Sequence, residues 1–415
     1  MDSRINLRFI FLIPFIFLIL SGLTVPSDGD HGLISIKGVS FVASVFGLGA
    51  YLLINNQLST IQVKFLLFLI VASMALIFWF FVSSFYDATT IKSMFDQFKI
   101  FWITLCTLGL SIFFVKEGFL SFPTFIKMIL YFNLSYSLLK VGAVILFLIG
   151  LINIEDALKL IGVRYMSMSI YGDLSRLQTS VDIMTPFLSI FILQSDYLGL
   201  SFSRKFKVFY IVISLISIFL SFSRYLLFIE VCGFIFYWCT LRLRHVFKYF
   251  GYAIIGMMLI TFWVGPSTMY SIVETRFFST ASRDSDTVRS EQVTALMAEF
   301  REAPCLGNGL GSYSTECIRD YVNPHAYEVQ WVAFLMQFGI AGVFLMLLAM
   351  GIIVIKYLTF PISRLKISFL LMFILWILSG FTNPFLISLT SGIVYSLFLL
   401  TGDYLNENPL QNCKM

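Results

Sequence analysis

The residues best suited to chemistry in this sequence are three arginines in polar stretches of a mostly apolar chain. Arg224 ends a Ser-Phe-Ser-Arg motif between two apolar runs, and Arg176 and Arg289 lie in longer polar segments. A guanidinium group is planar, permanently charged and able to form two parallel hydrogen bonds to phosphate oxygens. These arginines are therefore candidates for binding a phosphate group. Ordinary solvated charges are expected at Arg276, Arg283, Arg301 and Arg319.

His325 and Glu328 are the candidates for proton transfer. Both lie in the segment Asn-Pro-His-Ala-Tyr-Glu, directly before an apolar run. A neutral imidazole has an unperturbed pKa of about 6.5 and can act as a general base. Glu328, one helical turn beyond His325, could orient the imidazole or replace it as the base. Taken alone, a histidine at the edge of an apolar run is more often structural, so a catalytic role depends on the residues around it.

A glycine-rich string, Pro-Cys-Leu-Gly-Asn-Gly-Leu-Gly, begins at Pro304. Its glycines, Gly307, Gly309 and Gly311, resemble a phosphate-binding loop, but the Lys-Ser or Lys-Thr pair of such loops does not follow. The string therefore favours a sharp turn between two short helices. Because no cluster of His, Cys, Asp and Glu has the spacing of metal ligands, neither a metal nor a cofactor is expected.

The elements that must position these residues are membrane-spanning helices. Hydrophobic residues make up 59% of the chain and charged residues 12%, against about 25% charged residues in a typical soluble domain. Apolar runs long enough to cross about 30 Å of hydrocarbon predict an all-α bundle of about twelve transmembrane helices. The predicted spans are 7–25, 35–54, 63–85, 98–115, 122–151, 180–199, 208–223, 225–241, 249–265, 329–355, 367–382 and 386–402.

The distribution of basic residues predicts the orientation of these helices. Lysines and arginines are concentrated in alternate loops, and the intervening loops are acidic or mixed. By the positive-inside rule, the basic loops and both chain termini are cytoplasmic. The chain then divides into transmembrane helices over 1–265, an outer loop of short helices over 266–328, and further transmembrane helices with a cytoplasmic tail over 329–415. Because the basic residues are scattered among short loops, no surface for nucleic acid is predicted.

Cys305 and Cys317 both lie in the outer loop and are separated by twelve positions. An outer loop meets an oxidising compartment, in which disulfides persist. The pair is therefore a candidate disulfide. The cysteines in apolar runs, Cys106, Cys232 and Cys239, are expected to be ordinary core residues.

Taken together, the motifs resemble those of the O-antigen polymerase and O-antigen ligase superfamily of membrane glycosyltransferases. The resemblance rests on the Ser-x-Ser-Arg motif at Arg224 and on the fourteen residues that separate Arg289 from the glycine-rich string. It also rests on Pro-His-x-Tyr at His325, ahead of an apolar run containing Gln337-Phe-Gly-Ile-Ala-Gly. These motifs cover about 170–345, and the N-terminal half of the chain matches only in its hydropathy.

This resemblance implies polymerisation of oligosaccharide repeat units, linked to undecaprenyl diphosphate, on the periplasmic face of the bacterial inner membrane. Arg176, Arg224 and Arg289 would hold the diphosphate as it leaves, and His325 would deprotonate the attacking sugar hydroxyl. No metal is required, because fixed cations can stabilise a departing diphosphate. Besides membrane lipid, the resemblance implies a chain-length regulator and a flippase of the same pathway as partners.

Two alternative functions remain open. An O-antigen ligase would use the same donor, with lipid A–core as the acceptor. The polar run from His325 to Trp331 favours the polymerase over this ligase. A polysaccharide transporter or flippase would have ionisable groups near the middle of the membrane and an internal repeat. The sequence has no repeat of fixed period, and its only plausible intramembrane charges, Lys140 and Glu230, could pair with each other.

Overall fold

In a computed structural model, the chain is a bundle of α-helices with a short β-ladder. The structure describes residues 2–25, 36–54, 58–86, 89–153, 169–171, 174–175, 177–241 and 280–408, together with 258, 262, 265–267, 270 and 274. The helices are α1 (Asp2–Thr24), α2 (Ile36–Ile54), α3 (Thr60–Ser83), α4 (Ile91–Lys116), α5 (Phe122–Leu148), α6 (Thr185–Leu193), α7 (Arg204–Leu220), α8 (Arg224–Thr240), α9 (Thr280–Glu302), α10 (Gln330–Leu358), α11 (Arg364–Leu378) and α12 (Leu389–Glu407). The strands β1 (Ser169–Tyr171) and β2 (Leu174–Ser175) pair antiparallel.

The prediction of a bundle of apolar helices is confirmed, but the number of membrane spans is not. Among the described residues, six helices are long and apolar enough to cross a membrane. The span predicted over 180–199 is the nine-residue helix α6 followed by a 3-10 turn, and such a helix advances only about 14 Å. The span predicted over 249–265 lies largely outside the described residues. Each of the remaining predicted spans coincides with a helix.

Serine and threonine residues cap the start of many of these helices. The side-chain oxygen of the cap accepts a backbone N–H of the first turn, a donor that the helix itself cannot satisfy. Ser59 also forms a capping box with Gln62. The other caps are Thr90, Ser121, Ser203, Ser223, Ser363 and Ser388. A polar cap followed by an apolar run explains why the helix starts are readable from the sequence.

Apolar side chains cover the outside of the bundle as well as its core. α3, for example, exposes Leu67, Ile70, Met74 and Phe81 on one side and buries Phe65 on the other. A surface helix of a soluble protein would carry polar residues on its outer face. An apolar outer face fits a bundle that is surrounded by lipid.

The two ends of the bundle carry different charged residues. Asp403, near the end of α12, forms ion pairs with Lys116 at the end of α4 (2.9 Å) and with Lys356 near the end of α10 (2.8 Å). His325 and Glu328 directly precede the start of α10, which is the opposite end of that helix. The lysines and the candidate catalytic residues thus lie at opposite ends of the bundle, as the alternation of basic loops in the sequence predicts.

The charged residues inside the bundle pair differently from the sequence expectation. Lys140 Nζ lies 2.7 Å from Asp182 Oδ1 and donates to the carbonyl oxygen of Ser217 at 2.8 Å. The carboxylate of Glu230 accepts the hydroxyl of Ser189 at 2.7 Å. The expected pairing of Lys140 with Glu230 is therefore wrong. The irregular segment before α6 carries Asp182 into the bundle, so that this carboxylate is within reach of Lys140.

Candidate active site

The polar segment before α10 combines one long helix with an irregular stretch. α9 is 23 residues long, whereas the sequence predicts several short helices, and residues 303–329 form turns and bends but no helix. α9 packs on the start of α10 through a small apolar cluster. The buried members of that cluster are Leu296, Tyr327, Val329, Ala333 and Met336. This packing holds the irregular stretch, which contains His325, between α9 and the bundle.

α10 is interrupted at Gly339, and the glycine-rich string fills the interruption. Gly339 has a φ of 61°, which breaks the helical hydrogen-bond ladder. Backbone hydrogen bonds join the N–H and C=O groups around the break to the string: Ile340 N to Pro304 O (2.9 Å), Ala341 N to Cys305 O (3.1 Å), Asn308 N to Met336 O (2.8 Å) and Gly309 N to Gln337 O (2.7 Å). The string thus satisfies polar groups that would otherwise be buried without partners.

The three glycines of the string allow its backbone to lie directly against three helices. Gly307, Gly309 and Gly311 have φ values of 70°, 88° and 75°, a region that other residues adopt at a cost. A Cβ atom at these positions would lie 2.5 Å, 2.3 Å and 2.4 Å from the backbones of α10, α3 and α4, respectively. The string does contain a turn, but its expected position between two short helices is wrong, because it follows the long helix α9 and precedes an irregular stretch. The string is a packing element, and its N–H groups donate to the protein rather than cradle a phosphate.

Two buried glutamines fasten this packing. Gln97 of α4 donates through Nε2 to Gln337 Oε1 of α10 at 2.7 Å, and its Oε1 accepts the N–H of Gly311. Gln337 Nε2 donates in turn to the carbonyls of Ser312 (3.0 Å) and His325 (3.4 Å). Both glutamine side chains are buried. The position of the His325 backbone is therefore fixed by residues of two different helices.

The imidazole of His325 is oriented by Ser93, in the first turn of α4. Ser93 Oγ lies 2.6 Å from the carbonyl oxygen of Gly311 and 3.0 Å from His325 Nδ1. A serine hydroxyl has one hydrogen to donate, and the Gly311 carbonyl can only accept. His325 Nδ1 must then carry the hydrogen and donate it to Ser93, which leaves a lone pair on Nε2. Among the described residues, none forms a hydrogen bond with Nε2, although the atom is buried.

Burial also keeps this imidazole neutral. It lowers the pKa of His325 to about 4, and this effect exceeds the opposite effect of the carboxylates of Asp96 and Asp320. The sequence expectation of a pKa near the unperturbed value does not hold, because only 6% of the residue is exposed. A neutral ring with its lone pair on Nε2 is the form that can accept a proton from a substrate hydroxyl.

Glu328 does not orient His325. Residues 325–329 are not helical, so the two side chains are not one helical turn apart on a common face. The Glu328 carboxylate lies 2.8 Å from Arg289 Nε and 2.5 Å from Arg319 Nη2. Its backbone N–H donates to Gln292 Oε1 at 3.1 Å. The structure therefore places Glu328 with arginines, and Arg319, expected to be a solvated charge, is one of them.

Arg224 lies at the same end of the bundle as His325. It is the first residue of α8, behind the sharp turn at Phe222, which has a φ of 46°. The ring centroid of the next residue, Tyr225, lies 6.2 Å from that of Phe385. The backbone N–H of Leu386, which follows Phe385, donates to Gln330 Oε1 at the start of α10. A short series of contacts thus connects the hairpin of α7 and α8, which carries Arg224, to the start of α10.

Arg176, the third candidate for phosphate binding, lies outside the described residues. Leu177, the residue that follows it, donates its backbone N–H to the carbonyl of Leu220 at the end of α7, 3.2 Å away. The chain at Leu177 is therefore attached to the hairpin that carries Arg224.

Cys305 and Cys317 are free thiols in the structure, so the candidate disulfide is not formed. The backbone of Cys305 is held at the break in α10. Burial and, second, the nearby carboxylate of Glu291 raise the pKa of the Cys317 thiol. A raised pKa reduces the thiolate fraction on which disulfide exchange depends. Within the described part of the chain, no group of three or more His, Cys, Asp and Glu residues could hold a metal ion.

Comparison of the chain with protein-family models, with curated proteins and with solved structures gives no match. The function is therefore argued from the site itself.

Sequence reasoning missed the residues that orient the site from a distance. Ser93 and Gln97 lie at the start of α4, and nothing in their local sequence distinguishes them from other polar residues near a helix start. A signal for Gln337 was present, because a glutamine inside a long apolar run requires a hydrogen-bond partner.

Proposed function

We propose that this chain polymerises oligosaccharide repeat units that are linked to undecaprenyl diphosphate. The observation that carries the proposal is the neutral imidazole of His325, whose Nδ1 is held by Ser93 and whose buried Nε2 keeps its lone pair. Such a nitrogen can take the proton from an acceptor sugar hydroxyl. The hydroxyl oxygen then bonds to the anomeric carbon of the donor, and the bond from that carbon to the diphosphate breaks. The diphosphate leaves with the electron pair.

Arginine side chains near His325 support the second half of this reaction. Arg289 lies against Glu328, three residues beyond His325, and Arg224 is at the same end of the bundle. A departing diphosphate gains negative charge, and guanidinium groups fixed in advance stabilise that charge without a metal. We assign Arg289 and Arg224 to this role, and Arg176 with them.

The proposed location is the bacterial inner membrane, with His325 on the periplasmic side. The apolar outer surface of the bundle and its lysine-rich opposite end support this orientation, because lysines favour the cytoplasmic side. Both termini are then cytoplasmic. Contacts of α1 and α12 support this, because Gly22, near the end of α1, lies against Leu389, the first residue of α12. The start of α1 is then at the same end of the bundle as the end of α12, where Asp403 pairs with Lys116.

A polysaccharide transporter is the second candidate, and one observation favours it. Lys140, Asp182 and Glu230 are buried inside the bundle, and ionisable groups at that depth are typical of transport pathways. The ion pair of Lys140 with Asp182 explains the burial of these two groups without a role in transport. An O-antigen ligase shares the chemistry of the polymerase and differs in its acceptor.

Deletion of the gene, followed by gel analysis of the lipopolysaccharide and of the lipid-linked sugars, separates the three functions. Loss of the polymerase leaves lipid A–core capped with a single repeat unit. Loss of the ligase leaves bare core while lipid-linked polymer accumulates. Loss of the transporter leaves bare core with single lipid-linked units on the cytoplasmic side. We expect single-repeat caps, and bare core in either form would contradict the proposal.

A further inference from the structure

One carboxylate at the candidate site is held by two arginines from different parts of the chain. Arg289 of α9 contacts Oε2 of Glu328 at 2.8 Å, and Arg319 of the irregular stretch contacts Oε1 at 2.5 Å. The side chains of Arg289, Arg319 and Glu328 are 25%, 28% and 19% exposed, respectively. Among these three side chains, two guanidinium charges face one carboxylate charge. The group is also open enough for a solute to reach it.

A third donor belongs to the same group. Gln292 lies on α9 three residues after Arg289, so both side chains point from one face of the helix. Its Oε1 accepts the backbone N–H of Glu328 at 3.1 Å. Its Nε2 is buried and forms no hydrogen bond with any of the described residues. A buried amide that still has hydrogens to donate requires an acceptor.

We propose that Arg289, Arg319 and Gln292 form an anion-binding site, that Glu328 occupies it as an internal anion, and that a diphosphate displaces Glu328. This rests on the proposed function, which supplies the diphosphate as the substrate group. A diphosphate esterified at both ends carries one negative charge on each phosphate, so it is attracted more strongly by two guanidinium groups than one carboxylate is. Its oxygens also suit bidentate binding by arginine.

This site changes the role of Glu328. Each of its carboxylate oxygens already accepts from a guanidinium group, so the carboxylate is held against the two arginines. Glu328 is therefore a competitor of the substrate rather than the base of the reaction, and His325 remains the group with a lone pair to accept the proton.

Binding of inorganic pyrophosphate to the purified full-length chain in detergent tests the site directly. Titration calorimetry of Glu328→Gln should show pyrophosphate binding about tenfold tighter than in wild type, because the competing charge no longer occupies the site. Arg319→Ala should weaken binding about tenfold or more, as expected for the loss of a hydrogen bond to a charged group. Arg301→Ala, at the exposed end of the same helix, is the matched control and should leave binding unchanged.

A second variant keeps the test decisive if Glu328→Gln does not fold. Glu328→Asp retains the charge but shortens the side chain by one methylene, which withdraws the carboxylate from the arginines. It should bind pyrophosphate with an affinity between those of wild type and Glu328→Gln. If neither Glu328 variant binds more tightly than wild type, or if Arg319→Ala binds normally, the anion site is overturned.

Competition identifies the source of the diphosphate. Undecaprenyl diphosphate should displace pyrophosphate at a lower concentration than an anionic phospholipid does, and equal displacement would overturn the assignment to a lipid-linked diphosphate. The proposed function can fail separately. Pyrophosphate binding that responds to these variants, in a chain that extends no lipid-linked repeat units, supports the anion site and contradicts the polymerase.

Discussion

The hydroxyl of Ser93 lies 3.0 Å from Nδ1 of His325, and the two residues are 232 positions apart in the sequence. Because Ser93 gives its only hydrogen to the Gly311 carbonyl, the imidazole must be the donor in this contact. The serine thereby selects the tautomer of the histidine as well as its orientation. A histidine in the other tautomer would present an N–H to a substrate hydroxyl and could not take its proton.

Ser93→Ala should therefore lower the rate of repeat-unit transfer while the chain still folds. One hydrogen bond makes a net contribution of about 0.5–1.5 kcal/mol, so we expect a loss of about tenfold in kcat with little change in KM. Ser84→Ala is the matched control, because Ser84 is an exposed serine at the end of α3 whose hydroxyl donates to the carbonyl oxygen of Phe81 in its own turn. A Ser93→Ala enzyme as fast as the control would remove Ser93 from the site.

The low pKa of His325 predicts how stability depends on pH. An unfolded histidine binds a proton near pH 6.5, whereas burial lowers the pKa of His325 to about 4 in the folded chain. Between these values the unfolded state holds more protons, so the free energy of unfolding falls as the pH drops from 6.5 to 4. The full loss is about 3 kcal/mol. Unfolding of wild type and His325→Gln in detergent, followed from pH 7 to pH 4, measures it. Parallel curves for the two proteins would contradict the assigned pKa.

The close packing of the glycine-rich string predicts a specific effect of added side chains. Gly309→Ala should lower the free energy of unfolding by about 1–2 kcal/mol for its positive φ and by about 1–3 kcal/mol more for the clash with α3. Gly118→Ala is the matched control, because Gly118 has a φ of 74° and nothing within 4 Å of the added Cβ. Equal losses for the two variants would show that the contact with α3 is not tight.

The buried ion pair between Lys140 and Asp182 predicts a large loss of stability when one partner is removed. Asp182→Ala leaves a buried ammonium group uncompensated, which costs about 3–5 kcal/mol. Asp96→Ala removes the partner of Lys99 in an exposed pair and should cost about 1 kcal/mol or less. Unfolding titrations in micelles compare the two. A small loss for Asp182→Ala would mean that Lys140 has another route to solvation or to a neutral form.

The helices were predictable from the sequence because their signal is local. Each apolar run is continuous along the chain, and the caps, such as Ser59 and Ser223, stand directly before the runs that they start. α6 was overestimated because the predicted span also included the irregular residues 180–184 and the 3-10 turn at Ser195–Leu198, and hydropathy alone does not distinguish such buried segments from a helix. The number of spans is not confirmed, because α6 is short and the span predicted over 249–265 lies largely outside the described residues.

The partners within the site were not predictable, because they are set by packing between distant segments. His325 and Glu328 were identifiable by residue type and position, but a helical spacing was assumed between them where the chain is irregular. Ser93 contacts His325, and Gln97 contacts Gln337, because α4 and α10 pack together through Phe101 and with the glycine-rich string. No pattern in one segment encodes such a contact.

Extension of purified lipid-linked repeat units by the purified chain tests the central claim, that Nε2 of His325 takes the proton from the acceptor sugar. The account predicts that wild type forms polymer in detergent and that His325→Gln is about 10²–10⁴ times slower, as expected for the loss of a general base. The activity of wild type should persist down to about pH 5, since the pKa of His325 is about 4. A His325→Gln enzyme that forms polymer at the wild-type rate would contradict the account.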